Sequence, residues 1–267
     1  MSLEKDPQTL RFELASELAR QAGQMALDYF NNRHTLVIET KRDAQDVVSI
    51  ADRNVEIFLR DAVAKTFPED AFLGEEYGHT QGTSGYTWIV DPIDGTSPFV
   101  NGMPNWCVSI GVAFDEVPVI GVINAPVHRE IYAAAAGMGA TLNGEVIRVD
   151  PSRTLQNAVT AIGSNAYVTA EELGRLVSEL HSRGGNLFRN GSGALMLAYV
   201  AAGRLVGYYE PYMHAWDCAA GFCLTQEAGA YNHPFPMDRE SVKRGWPVFT
   251  AAPGAMDELF EVSGLSR

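Results

Sequence analysis

The chain has 267 residues and is poor in cysteine, with three, and in basic side chains, with 20 Lys and Arg against 33 Asp and Glu. Cys107, Cys218 and Cys223 are too few and too scattered for a disulfide framework. None stands in a Cys-x-x-Cys pair, which argues against zinc. All three have apolar neighbours and read as core thiols. The net charge of −13 disfavours a nucleic-acid-binding or anionic-membrane surface, so no nucleic-acid or membrane partner is expected. No apolar run approaches the ~18 residues of a membrane span, and the amino terminus lacks a charged-then-apolar signal pattern. A cytoplasmic protein is the resulting expectation. Also missing are a Cys nucleophile in a phosphate-binding loop and the Gly-x4-Gly-Lys-Ser/Thr pattern of nucleotide-binding loops.

What is present is the material of a globular protein, 46% hydrophobic and 20% charged, long enough for one large domain or two intimate halves. Leu10, Leu14, Leu18, Ala22, Met25 and Tyr29 recur at helical spacing and predict a long opening helix over residues 8–32. A short strand over residues 36–39 and a polar loop from Lys41 to Asp46 follow. Ser49-Ile50-Ala51-Asp52 resembles a capping box ahead of a second helix that ends near Phe67-Pro68. Residues 106–114, 117–124, 129–135 and 140–142 read as neighbouring strands, with Asn143-Gly144 a hairpin signal, so this part forms a largely antiparallel sheet. Near Asp150-Pro151-Ser152 the pattern changes to alternating strands and helices, which predicts an α/β layer. The expected division is 1–150 and 151–267.

The chemistry concentrates in Trp88-Ile89-Val90-Asp91-Pro92-Ile93-Asp94-Gly95-Thr96. Three strand-forming residues run into an acidic turn, which delivers Asp91 and Asp94 to the strand's carboxyl end. Gly95 allows a sharp turn, and Gly95 and Thr96 offer backbone N–H groups beside a hydroxyl at the start of a short helix. Hard oxygens beside N–H donors suit Mg²⁺ and a phosphate together. An Asp-Pro-x-Asp-Gly sequence is also an ordinary tight turn. Two further acidic punctuations speak against that plain reading: Glu75 and Glu76 after Phe72-Leu73-Gly74, and Asp217 at the start of a helix near residues 215–228.

Gly74-Glu75-Glu76, Asp91-Pro92-Ile93-Asp94-Gly95-Thr96 and Trp216-Asp217 with Ala219-Ala220-Gly221 resemble, in order and approximate spacing, the three signatures of the inositol monophosphatase family. The resemblance runs from about Arg11 to the last helix. It implies a layered α-β-α-β-α sandwich, with a six-stranded antiparallel sheet beside a five-stranded mixed one, and a homodimer. It also implies hydrolysis of a small phosphate monoester by in-line attack of a water activated by two to three Mg²⁺ per subunit. Glu75, Asp91, the Ile93 carbonyl, Asp94 and Asp217 would be metal ligands, and Asp52 and Thr96, with Glu75, would act on the attacking water. Gly95 and Thr96 would hold phosphate, while Lys41, Ser192, Gly193 and Glu210 would face the substrate.

Several of these residues carry a plainer reading. Asp52 suits the N3 position of a helix, where a carboxylate offsets the macrodipole. Lys41 suits a solvated loop, and Gly191-Ser192-Gly193-Ala194 suits a helix cap. Glu210 suits a solvated strand end, but the resemblance makes it the reader of ring hydroxyls. His214 reads as packing on Trp216 rather than as an acid–base group. Within the superfamily, inositol phosphates, histidinol phosphate, fructose bisphosphate and 3′-phosphoadenosine nucleotides share the metal chemistry. Glu210 and the residues around Asp217 favour an inositol ester. Ser97-Pro98-Phe99 departs from the usual Thr-Asn-Phe, and Gly102-Met103-Pro104-Asn105-Trp106 resembles the histidinol-phosphate branch. A metal-dependent binding protein on the same fold is the non-enzymatic alternative; against it, every matched ligand position keeps its oxygen donor.

Overall fold

The computed structural model describes residues 6–35, 38–40, 47–238 and 244–266. Lys41 and the loop around it, and the first half of the strand expected at 36–39, lie outside the described residues.

Helix α1 spans Pro7–Asn31; Gln8 and Thr9 donate their N–H groups to the Asp6 carboxylate, and Pro7 opens the first turn. Its buried stripe of Ala15, Leu18, Ala19, Ala22 and Ala26 is small enough for the helix to press onto a sheet. Asn124 uses the gap left by Gly23 to donate its side-chain N–H to the Ala19 carbonyl at 2.7 Å. After the short β1 (Ile38–Thr40) and β2 (Val47–Ser49), helix α2 (Ile50–Thr66) buries Val55, Leu59 and Val63 together with two carboxylates, Asp52 and Glu56.

The large sheet contains β3 (Ala71–Gly74), β4 (Gly78–Thr80), β5 (Tyr86–Asp94), β6 (Cys107–Phe114), β7 (Val117–Ala125), β8 (Glu130–Ala135), β9 (Gly139–Leu142) and β10 (Glu145–Ile147), in the spatial order β10-β9-β8-β7-β6-β5-β3-β4. Eight strands therefore stand where six were expected, and the sheet is mixed. The three-residue β4 and β10 fold back through turns at Gly78 (φ 70°) and at Asn143-Gly144 (φ 51° and 86°) and extend its two edges. Because β4 returns along the outer edge, the chain re-enters as β5 parallel to β3. The two strands thus end on the same side, with the Glu75 N–H donating to Val90 O at 3.3 Å.

The second sheet is five-stranded and mixed, as expected, with β11 (Val159–Ile162), β12 (Asn186–Phe188), β13 (Gly207–Met213), β14 (Tyr231–Asn232) and β15 (Trp246–Ala251) in the order β12-β11-β13-β15-β14. Helices α1 and α2 cover one face of the large sheet. Helices α5 (Gly193–Ala201) and α6 (Ala215–Glu227) lie between the sheets, and α4 (Ala170–Ser182) and α7 (Met256–Ser263) flank the far side of the second. Both middle helices are apolar nearly all round, as burial on two sides requires. Helix α6 touches the backbone of β6 and β7. A Cβ at Gly111 would lie 2.9 Å from Ala220 N, and one at Gly121 would lie 2.1 Å from Ala220 O.

Candidate active site

The carboxyl end of β5 is where the layers meet. Residues three apart on a regular strand face opposite ways. Here, however, Asp91 pairs with Ser109 and Asp94 with Cys107, so Pro92 and Ile93 of β5 stand opposite the single Val108 of β6. This bulge turns both carboxylates to one side. Asp91 accepts the Ile93 N–H at 2.9 Å, which holds the turn around Pro92.

Each of the other two sides is a helix start. At the first turn of α5, Asp94 accepts the N–H of Ala194 at 2.8 Å, that of Gly193 at 3.3 Å, and the Ser192 hydroxyl. At the first turn of α6, Asp217 accepts the His214 N–H at 3.1 Å. One oxygen from each of Asp91, Asp94 and Asp217 lies within 4.8 Å of the others. Burial drives the Asp91 carboxyl well above its ordinary value, and the charges of Glu75 and Asp94 add to the effect. Burial likewise raises Asp94 to about 6, against its hydrogen bonds, and pushes Asp217 well up, reinforced by Asp94 and Glu75. Among the described residues no Lys, Arg or His forms an ion pair with any of the three. A clustered donor set made of hard oxygens, with no basic partner among the described residues, fits a Mg²⁺-type cation.

Glu75 leaves the end of β3 beside Val90 and is a charge neighbour of all three aspartates. Gly95 caps α3 (Thr96–Val100) with φ 94°, and a Cβ there would come within 2.8 Å of Asn105 O, so the position requires glycine. The Thr96 hydroxyl lies 3.2 Å from both Asp52 Oδ1 and the Ile93 carbonyl and, having one proton, donates to one at a time. Asp52 is fully buried at the first turn of α2.

Beside the carboxylates is a cavity of ≈ 160 Å³ lined by Gly193, Glu210, Met213, Asp94 and Asp217. Through Ser164, Asn165, Arg189 and Gly191 it shares a wall with an outer cavity of ≈ 520 Å³ that reaches Pro98, Met103, Tyr167, Tyr212 and His214. Glu210 accepts from the Tyr208 hydroxyl and from Asn165 at 3.1 Å, and burial raises its carboxyl to about 7. Gly193 lines the inner cavity, whereas Ser192 is fully buried, with its hydroxyl on Asp94 and on the Leu195 N–H. His214 stacks on Trp216, with ring centroids 4.4 Å apart. The three cysteines are buried and unpaired as disulfides.

The sequence reading passed over Glu56, Asn165 and Tyr208. Two signals were available. Glu56 is four residues after Asp52 on one helix and therefore shares its face, and Tyr208 is two before Glu210 on one strand.

A two-sheet sandwich whose buried carboxylates meet two helix starts at a strand end belongs to the sugar-phosphatase class of folds. The model of the inositol monophosphatase family matches residues 8–242. The chain belongs to that family. It is 37% identical over 224 residues to the inositol-1-monophosphatase of Rhizobium meliloti, covering 83% of this chain and 81% of the relative. It is 35% identical to the histidinol-phosphatase of Chlorobaculum parvum (81% and 83% covered) and 33% identical to the Nus factor SuhB of Pseudomonas aeruginosa (87% and 88% covered). The crystal structure of the extragenic suppressor protein suhB from Bartonella henselae superposes with a TM-score of 0.87, at 29% identity, over 97% of this chain and 99% of that one.

Proposed function

We propose that this protein is a Mg²⁺-dependent phosphate monoester hydrolase and that an inositol 1-phosphate-type ester is its substrate. The observation that carries the reading is the convergence of the Asp91, Asp94 and Asp217 oxygens within 4.8 Å. With Glu75 and the Ile93 carbonyl they would hold two to three Mg²⁺ per subunit of a homodimer. Once bound, the cations supply charge neutralisation for the phosphoryl oxygens and make water acidic enough to attack near neutral pH.

The rest is the work of the chain's own groups. Thr96 accepts a hydrogen bond from the attacking water and hands the proton load towards Asp52, which its hydroxyl already reaches. Asp52, fully buried in the first turn of α2, is the carboxylate placed to receive it. The Gly95 and Thr96 N–H groups orient the phosphate, and Gly193 borders it; the part expected of Lys41 at the substrate lies outside the described residues. Glu210, braced by Tyr208 and Asn165, accepts hydrogen bonds from hydroxyls of the leaving alcohol.

One observation favours histidinol phosphate as a second reading. The outer cavity offers the Tyr167–Tyr212 ring pair, centroids 4.1 Å apart, and Met103, against which a flat ring would pack. Phosphate release from both esters, assayed side by side in wild-type and Glu210→Gln protein, separates the two. Preference for the inositol ester that collapses in Glu210→Gln supports the first reading. Preference for histidinol phosphate keeps the mechanism and overturns the substrate.

A further inference from the structure

Glu56 lies one turn beyond Asp52 on the same face of α2, with no exposed surface. Its carboxylate does not face solvent, as the glutamate of an amphipathic helix usually does. It closes on the turn that follows β3. Oε2 accepts the Glu76 N–H at 2.7 Å, and Oε1 accepts the Tyr77 N–H at 3.1 Å. Arg60, one turn further on, pairs with Oε1 at 2.7 Å and reaches across to the Gly78 carbonyl at 2.8 Å and the Thr80 hydroxyl at 2.7 Å. Gly74 completes the arrangement, since a Cβ there would stand 2.2 Å from Glu56 Oε1. The glycine before Glu75 is thus the space the Glu56 carboxylate occupies.

Asp52, Glu56 and Arg60 therefore form a ruler along one helix face at positions i, i+4 and i+8. Its first mark touches Thr96 at 3.2 Å, and the others grip the two residues after Glu75 and the strand beyond. We infer that Glu56 is a positioning residue: it sets the Glu75 backbone relative to the β5 carboxylates, and through it the affinity of the site for its cation. This inference rests on the metal reading above. Groups that orient metal-binding side chains typically change affinity by about 10–100-fold when removed. Glu56→Gln replaces one acceptor oxygen by an N–H donor that confronts a backbone N–H, so the turn must shift. Glu56→Asp keeps the charge but withdraws the carboxylate by one methylene.

The test is Mg²⁺ titration calorimetry with thermal melting on wild type, Glu56→Gln, Glu56→Asp and, as a stability control, Asp70→Asn in the distant Arg11 pair. The expected result is Mg²⁺ binding about tenfold or more weaker in both Glu56 variants, and unchanged in Asp70→Asn despite its lowered melting temperature. Where Glu56→Gln does not fold, Glu56→Asp decides. Wild-type affinity in the Glu56 variants overturns the inference and leaves the metal reading standing. Weakening that merely tracks melting temperature across all variants, the control included, overturns it as well. No Mg²⁺ binding by the wild type overturns both.

Discussion

Ala194 donates its backbone N–H to Asp94 at 2.8 Å, joining the first turn of a helix between the sheets to the end of a strand 100 residues earlier in the chain. With the Ser192 hydroxyl and the Gly193 N–H, this fixes the Asp94 carboxylate before any ligand arrives. Ser192→Ala removes that hydroxyl and the α5 cap together. Loss of a cap alone costs about 0.5–2 kcal/mol. The expected outcome is a urea midpoint lowered on that scale and a higher Mg²⁺ concentration for half-maximal phosphate release, read from a denaturation curve and a Mg²⁺ titration of activity.

The raised carboxyls make the metal-free protein pH-sensitive in a stated direction. Asp91, Asp94, Asp217 and Glu210 all have folded values above their unfolded ones, so the folded state holds more protons than the unfolded state between them. Their contribution is fully present below the unfolded value, near ~4, and is lost as pH rises through about 6 for Asp94 and about 7 for Glu210. On the proposed reading, Mg²⁺ bound among these carboxylates would relieve their mutual repulsion in competition with protons. The increase in melting temperature on adding Mg²⁺ is therefore expected to be larger at pH 8 than at pH 5. An increase that is equal at both, or larger at pH 5, would count against the cluster as the cation site.

Asp91→Asn in the metal-free state follows from the same physics. Asparagine cannot ionise, so the substitution removes the cost of burying that carboxyl beside Glu75, Asp94 and Asp217; at pH 8 the variant should melt at or above the wild-type temperature in chelator, while losing most of the Mg²⁺-induced shift.

A structural prediction lies at the amino ends of β3 and β5, opposite the carboxylates. Asp70 accepts two bonds from Arg11, at 2.6 and 2.8 Å, together with Ser84 Oγ at 2.6 Å and Trp88 Nε1 at 2.9 Å. The Arg11 guanidinium lies between the Phe67 and Tyr86 rings, 4.3 and 3.7 Å from their centroids. Asp70→Ala leaves a buried cation without its partner and should cost about 3–5 kcal/mol in chemical denaturation. The Mg²⁺ concentration for half-maximal activity should not move.

How far the sequence foretold this architecture depends on the range of the forces involved. The apolar period of α1 and the run Trp88-Ile89-Val90 into Asp91 are local and were legible, as were the two sheets and the packing of His214 on Trp216. The strands β4 and β10 are too short for a period, and pairing alone makes them strands, so the large sheet is wider than expected. The bulge that turns Asp91 and Asp94 to one side is set by the register with β6, and Pro92 is its one local mark in β5. Glu56 reads as a solvated helix residue until the turn after β3 closes on it. The cap at Ser192 is local and legible, whereas the bond of its hydroxyl to Asp94 is a tertiary contact.

The central claim is that the three converging aspartates make a cation-dependent phosphatase centre. Its most direct test is phosphate release from inositol 1-phosphate by wild type and Asp91→Asn, each with Mg²⁺ and with chelator. The account predicts release by the wild type with Mg²⁺ alone, and a rate at least ~10³-fold lower in Asp91→Asn, the scale of a lost transition-state interaction of about 4 kcal/mol. Undiminished release in chelator, or a near-normal rate in folded Asp91→Asn, would contradict it.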